Sequence, residues 1–277
     1  MGCSGLVPWQ IAASRPRRYT GLLPQPSACD ILFVEVIFVM LVTLLAAVVQ
    51  TVAGFGFSLL AVPMLTIFME PVHAVPLSAL LSFLNANWVA QRTRSQTPWR
   101  IVLVLLAGSL IGLPFGLQIL LHLSADVLRF FVGTVSALMA VAIGLGLRWP
   151  KSDFASLLTG FFSGILSTST AINGPPIVLY LQAAGLRPVA FRGAISNLFV
   201  LNGIFALTGF FLTGLLTEQS LLLMLAGLPC LALGHWCGER LLGRFDAAKF
   251  RAFVLWLLGI ASTAVAAAAL LRTINFW

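Results

Sequence analysis

Apolar segments separated by short polar loops make up most of this 277-residue chain. Most of them reach the roughly 20 residues that a helix needs to cross the hydrocarbon core of a bilayer. Only 9% of the residues are charged, against roughly 25% in soluble domains, too few to cover a water-facing surface. The chain is therefore predicted to be an all-α polytopic membrane protein. Its apolar segments run over 31–53, 55–70, 72–91, 99–121, 127–147, 154–168, 175–185, 193–213, 220–239 and 252–271.

Three of these segments, 55–70, 154–168 and 175–185, are too short for a perpendicular crossing. They lie beside clusters of Gly and Pro, which end or break helices. Backbone that breaks at membrane depth must be buried in protein or line a cavity. The sequence thus predicts 8–10 hydrophobic segments in total, some of them short broken or re-entrant helices.

The basic residues exclude one class of partner. Lys and Arg total 16 against 8 Asp and Glu, but they sit between apolar runs, as the positive-inside rule describes, and form no single basic face. We expect a lipid bilayer and no nucleic acid as partner, and homo-oligomers are neither required nor excluded. No metal-ligand spacing and no catalytic motif stands out, so neither a cofactor nor an enzyme is predicted.

An internal repeat divides the chain. Pro71 and Asn85 recur 117 positions later as Pro188 and Asn202. A second block recurs at a shift of 122, with Gly112, Gly116, Arg129 and Phe131 matching Gly234, Gly238, Arg251 and Phe253. We therefore predict one transmembrane domain over 31–277, made of repeat one (31–150) and repeat two (151–277). Residues 1–30 form an N-terminal extension that we expect to be poorly ordered.

The charge of the loops orients the two repeats. Loop 92–100 carries three arginines while its counterpart 214–219 carries none, and the bias is reversed between 122–128 and 240–251. Basic loops face the cytoplasm, so the repeats are predicted to be inverted, with about five segments each. This arrangement places the N-terminus outside, where the arginines of residues 1–30 do not fit the rule.

The stretches 50–63 and 164–176 are predicted to be corresponding helix breaks, where half-helix N-termini offer N–H groups and a positive dipole end to an anion. The alternative is that their small residues serve close packing and that Ser and Thr bond to their own helices. Asn85 and Asn202 are amides inside apolar segments, and they either contact solute or brace neighbouring helices. The candidate solute-binding residues are Gln50, Gly54, Gly56, Ser58, Asn85, Ser167, Thr168, Ser169, Thr170, Asn173 and Asn202.

Other polar and small residues are assigned to structure. Gly108, Gly112 and Gly116 are spaced by four, the pattern of close helix contact. His235 is expected to be a packed neutral imidazole, and Glu239 to be solvated beside a loop. An intramembrane enzyme built on these two side chains and a neighbouring cysteine is the least supported reading.

From about residue 34 to its end the sequence resembles the sulfite exporter TauE/SafE family of membrane permeases. The resemblance rests on Gly54-Phe55-Gly56-Phe57, Pro63-Met64-Leu65 and Pro71, and on Gly160, Gly164 and Pro176 in the second half. It implies transport of a small sulfur-containing or organic anion, such as sulfite or a sulfonate, across a prokaryotic inner membrane. A neutral pocket rich in N–H groups would suit such an oxyanion. The alternative is a membrane assembly or scaffold protein without a solute path.

Overall fold

The computed structural model describes residues 28–145 and 152–241, and this part of the chain is entirely helical apart from its connections. The last predicted segment, 252–271, and most of the predicted extension 1–30 lie outside these residues. A 3-10 turn, Arg94–Gln96, follows the third helix. The helices are α1 (Ala28–Ala53), α2 (Phe57–Phe68), α3 (Pro71–Thr93), α4 (Trp99–His122), α5 (Ala125–Gly144), α6 (Asp153–Ser169), α7 (Gly174–Ala184), α8 (Pro188–Leu212) and α9 (Glu218–Leu241).

Apolar side chains cover the outside of the molecule, and many polar side chains lie inside it. Phe33 on α1, Phe115 on α4 and Leu212 on α8 are among many large apolar residues that are exposed. Exposed apolar area on this scale does not occur in soluble monomers. Within the described residues, five helices are long and apolar enough to cross a membrane. The prediction of an all-α membrane protein is confirmed.

The three short segments are helices that fall short of a full crossing. α2 has 12 residues, α6 has 17 and α7 has 11. Most of α2 and α7 is buried inside the protein, as is required of a helix that ends at membrane depth. One boundary was predicted wrongly: α8 begins at Pro188 rather than at 193, because proline is favoured in the first turn of a helix.

Three contacts between helices are the most extensive in the described residues. α4 packs against α6, α1 against α9, and α3 against α8. The predicted packing role of the α4 glycines is confirmed, since a Cβ at Gly108, Gly112 or Gly116 would overlap backbone atoms of α6. Helix backbones this close need glycine on the contact face.

Candidate functional site

The first helix break lies between α1 and α2. Gly54 has φ +83° and Gly56 has φ +101°, left-handed conformations that residues with a Cβ rarely adopt. The Gly54 amide donates to the Gln50 carbonyl at 2.8 Å and closes the last turn of α1. With two such residues the chain leaves α1 and starts α2 at Phe57 within three positions. The first N–H groups of α2 have no acceptor within their own helix.

The second break, between α6 and α7, is built mainly with polar side chains. Ala171 has φ +57°, and it lies 117 positions after Gly54, the shift of the first repeat block. The Ser163 hydroxyl donates to the Asn173 carbonyl at 3.0 Å, and the Thr170 hydroxyl accepts from the Ile172 amide at 3.3 Å. These bonds hold a backbone conformation that is costly for a residue with a Cβ.

The two breaks meet. A methyl group added at Gly174, the first residue of α7, would lie 3.5 Å from Phe55 Cβ in the first break and 3.3 Å from Phe199 Cζ on α8. α2 begins only two residues after Phe55. The N-termini of two short helices, each with a positive dipole end and free N–H groups, are therefore neighbours inside the protein.

A cavity of about 20 Å³ lies at this junction, large enough for about one water molecule. The junction cavity brings together three of the predicted site residues, Ser58, Ser167 and Asn173, and the Asn173 amide donates to the Ser167 hydroxyl at 3.4 Å. α3 and α8 form its other walls, through Ala79, Ser82, Phe83, Phe199, Gly203 and Ala206. An oxyanion is larger than water, so it enters only if these walls move.

Three predicted site residues at the end of α6 donate their hydroxyl hydrogens to backbone carbonyls. Ser169 donates to the Ile165 carbonyl at 2.7 Å and Thr170 donates to the Leu166 carbonyl at 3.0 Å, both within α6. Thr168 donates across to the Leu113 carbonyl of α4 at 2.6 Å. The hydrogen atoms of these hydroxyls are thus directed at backbone carbonyls and not at the junction cavity.

Gln50 and Asn85 belong to a chain of polar side chains that joins three helices. Asn85 on α3 donates to the Gln50 side chain on α1 at 2.8 Å, and its carbonyl oxygen lies 3.2 Å from Nδ1 of His235 on α9. His235 Nε2 lies 3.2 Å from Glu239, which also forms an ion pair with Arg92. Asn85 braces α1 against α9 in this structure.

Glu239 is exposed, as expected, and its carboxylate also bonds to His235 and pairs with Arg92, because the last turn of α9 lies beside the last turn of α3. His235 is buried as expected, yet it is hydrogen-bonded at both ring nitrogens. Sequence reasoning grouped the two residues only in the enzyme alternative, and their spacing of four, which puts them on one helix face, is the signal for this bond.

A larger cavity, of about 620 Å³, lies between α3 and α9 on the far side of this polar chain. Asn85, Arg92 and His235 give it polar walls, and Trp88 gives it an aromatic one. Its remaining lining residues are Leu84, Asn87, Gln91, Leu228, Leu231 and Ala232. This volume is within the range of small-molecule sites in proteins. We refer to it as the α3–α9 cavity.

Comparison with known proteins identifies the family of the chain. The family model described as sulfite exporter TauE/SafE matches residues 39–265. The chain belongs to the sulfite exporter TauE/SafE family. A relative in Cupriavidus necator, described as the probable sulfite/organosulfonate exporter TauE, is 26% identical over 161 residues, which cover 55% of this chain and 63% of that protein. The match thus spans less than two thirds of the relative. No solved structure matches the chain.

Membership in the TauE/SafE family confirms the predicted resemblance and makes the chain a multi-pass membrane protein of a transporter family. In this TauE/SafE chain, Asn202 has surroundings unlike those of Asn85. Asn202 is fully buried, and neither its amide nitrogen nor its oxygen has a hydrogen-bond partner among the described residues. An unsatisfied buried polar group costs about 1–3 kcal/mol. This TauE/SafE chain therefore holds a free amide inside the protein at a cost to its stability.

Arg192 lies beside the first break, and sequence reasoning missed it. It is partly buried in the second turn of α8, donates to the Thr51 carbonyl at 3.0 Å, and lies 3.5 Å from the position of a Cβ on Gly54. A cation is favourable at the C-terminal end of α1, where carbonyls are free. Pro188 was the signal that would have placed Arg192 inside a helix.

Proposed function

We propose that this chain is a permease that moves a small oxyanion of the sulfite or sulfonate type across a prokaryotic inner membrane. The observation that carries the proposal is the meeting of two short helix N-termini, at Phe57 and Gly174, inside the protein. Helix N-termini bind anions through free N–H groups and a positive dipole end. The name of the Cupriavidus necator relative, a probable sulfite/organosulfonate exporter, supports the same class of solute.

The proposed solute site combines the junction cavity with the breaks around it. Ser58, Ser167 and Asn173 supply hydroxyl and amide groups at the cavity. Asn202, next to Gly203 of the cavity wall, is included because its buried amide has no hydrogen-bond partner among the described residues. Gly54 and Gly56 allow the chain to turn there, and Thr168, Ser169 and Thr170 hold the second break in shape. Gln50 and Asn85 close the site on the side of the α3–α9 cavity.

We also propose that repeats 31–150 and 151–277 form one transmembrane domain and are inverted relative to each other, with residues 1–30 as an extension. The helix contacts support a two-fold relation, since α1 with α9 and α4 with α6 are the pairs that such a relation exchanges. Thr51 lies against Gly238, and Thr168, 117 positions after Thr51, lies against Gly116. Both the helix contacts and these residue pairs follow the shifts of the sequence repeat.

The membrane potential supplies a driving force for the proposed export. With loop 92–100 in the cytoplasm, the α3–α9 cavity lies at that end of α3, beside Arg92. An inside-negative potential drives each exported negative charge by roughly 2.3 kcal/mol per 100 mV. Cations near the entrance raise the local concentration of an anion before it reaches the junction.

Flux in proteoliposomes tests the proposal. We expect purified protein to move sulfite and methanesulfonate faster than empty vesicles do, and Ser58→Leu, which fills the junction cavity, to abolish that flux. The matched control is Leu212→Phe, which should leave flux unchanged because Leu212 on α8 is 78% exposed. If wild-type protein moves no anion faster than empty vesicles, the proposal is wrong and an assembly role is favoured.

A further inference from the structure

The hydrogen-bond partners of His235 suit both of its protonation states. Asn85 Nδ2 donates to Gln50 Oε1, so the Asn85 oxygen is the atom that faces His235 Nδ1 at 3.2 Å. The Thr51 hydroxyl lies 3.1 Å from the same nitrogen. Nε2 faces a Glu239 carboxylate oxygen at 3.2 Å. A neutral ring donates from Nε2 to the carboxylate and accepts at Nδ1 from the Thr51 hydroxyl. An imidazolium donates from both ring nitrogens, at Nδ1 to the Asn85 oxygen.

The charged groups around His235 make its proton important for an anion. Among the described residues, Arg92 faces it from α3, Arg192 from α8 and Glu239 from its own helix, while α1 contributes only the uncharged Gln50 and Thr51. Two arginines and one glutamate leave one net positive charge, and protonated His235 makes two. The proton therefore doubles the net positive charge beside the α3–α9 cavity.

The position of His235 is specific to one half of the chain. At the shift of 122 its counterpart is Leu113, and the counterpart of Glu239 is Leu117. Leu113 offers only its backbone carbonyl to Thr168, where His235 offers a ring nitrogen to Thr51. The second repeat thus has the ionisable His235 at a position of its helix contact where the first repeat has Leu113.

We propose that His235 is a proton-binding residue of the permease, and that it takes up a proton when an anion occupies the α3–α9 cavity. The inference rests on the proposed transport function and extends it from an anion path to a proton-coupled one. A hydronium ion from the aqueous phase supplies the proton and leaves as water, one N–H bond forms on the ring, and the anion balances the added charge. When the anion leaves, the imidazolium stands beside two arginines without that balance, and it releases the proton.

Binding of methanesulfonate across pH tests this coupling, because the sulfonate stays ionised and any pH dependence belongs to the protein. For purified wild-type protein we expect affinity to fall on the order of 5- to 10-fold between pH 6 and pH 8, within the usual range of coupling between sites. His235→Gln should bind with an affinity that does not change with pH. The matched control is His122→Gln, since His122 is exposed at the end of α4.

Glu239→Gln provides a second variant that keeps the shape of the side chain. Loss of the carboxylate removes a partner of the imidazolium, so the fall in affinity should move to lower pH. A purely structural role for the pair would weaken binding equally at every pH. The inference is overturned if wild-type protein binds methanesulfonate and His235→Gln keeps the wild-type pH dependence. If wild-type protein binds neither methanesulfonate nor sulfite at any pH, the proposed function is overturned as well.

Discussion

Asn85 and Asn202 occupy the same place in their helices, 14 residues after the proline that begins each one, but they have opposite surroundings. Asn85 is bonded to Gln50 and His235, while Asn202 is bonded to no described residue. Neighbouring positions differ in the same way. Arg92 pairs with Glu239 near the first break. The repeat shifts of 117 and 122 match these two residues with Gly209 and Leu117, which also lie against each other.

The two breaks share a backbone conformation and differ in the side chains around it. Both breaks have a left-handed residue and a new helix three positions later, at Gly54 and Phe57 and at Ala171 and Gly174. Among the described residues, the charged Arg192 bonds beside the first break, whereas uncharged Ser, Thr and Asn side chains hold the second break. The shared backbone suits a common task, holding two helix N-termini together, whereas the polar chain gives one side of the molecule a group that can titrate.

The largest expected effect concerns the helix contacts that carry the two breaks. Gly112→Ala puts a methyl group into the backbone of α6 at Phe161, and we expect it to lower the free energy of unfolding by about 3 kcal/mol. Gly234→Ala, which meets the Leu44 carbonyl and the Ala47 side chain of α1, should cost less. Thermal unfolding of purified protein in detergent measures both.

Gly209→Ala is the control for this pair, because its nearest neighbour is the end of a leucine side chain at 3.3 Å. Alanine is a better helix former than glycine by about 0.5–1 kcal/mol, so this variant should be neutral or slightly more stable. Equal melting temperatures for Gly112→Ala and Gly209→Ala would contradict the close contact of α4 with α6.

A smaller effect, opposite in sign between the two amides, is expected when each is replaced by leucine. Asn85→Leu takes the Asn85 amide away from the buried Gln50 side chain and the Asn85 oxygen away from His235, and it should destabilise the protein by about 1–3 kcal/mol. Asn202→Leu removes an unsatisfied group and should stabilise it by about 1 kcal/mol, while reducing methanesulfonate flux. Thermal unfolding and flux of the same preparations measure the two effects.

The outcome for Asn202 is decisive for its proposed role. A stable Asn202→Leu protein with normal flux would show that the free amide does not serve the solute. A loss of stability as large as that of Asn85→Leu would show that Asn202 has a structural partner. Either result would remove Asn202 from the proposed site and leave Ser58, Ser167 and Asn173.

Much of the helix pattern could be predicted from the sequence because bilayer thickness limits segment length and glycine or proline marks each break. These patterns predicted the three short segments, and the spacing of glycines predicted the close packing of α4. The surroundings of Asn85 were not, because its partners lie 35 and 150 positions away in sequence. Pairing between helices depends on how they rotate about their axes, and periodicity in an apolar segment does not define that rotation.

The residues of the candidate site could also be predicted only in part from the sequence. A run of Ser and Thr at 167–170 predicts polar groups at a break, but their rotation about α6 decides which of them reach a cavity. Ser167 lines the junction cavity, whereas Ser169 bonds to its own helix. Arg192 was missed because a charged residue at the edge of an apolar run was assigned to the loop.

Protection of a cysteine at position 167 tests most directly whether the junction is the anion site. In a protein whose native cysteines are replaced, Ser167→Cys should react with iodoacetamide as the cavity opens during transport, and saturating methanesulfonate should slow that reaction several-fold. Ser95→Cys, in the exposed turn after α3, is the control and should react at a rate that the anion does not change. Equal rates for Ser167→Cys with and without methanesulfonate would contradict an anion site where α2 and α7 meet.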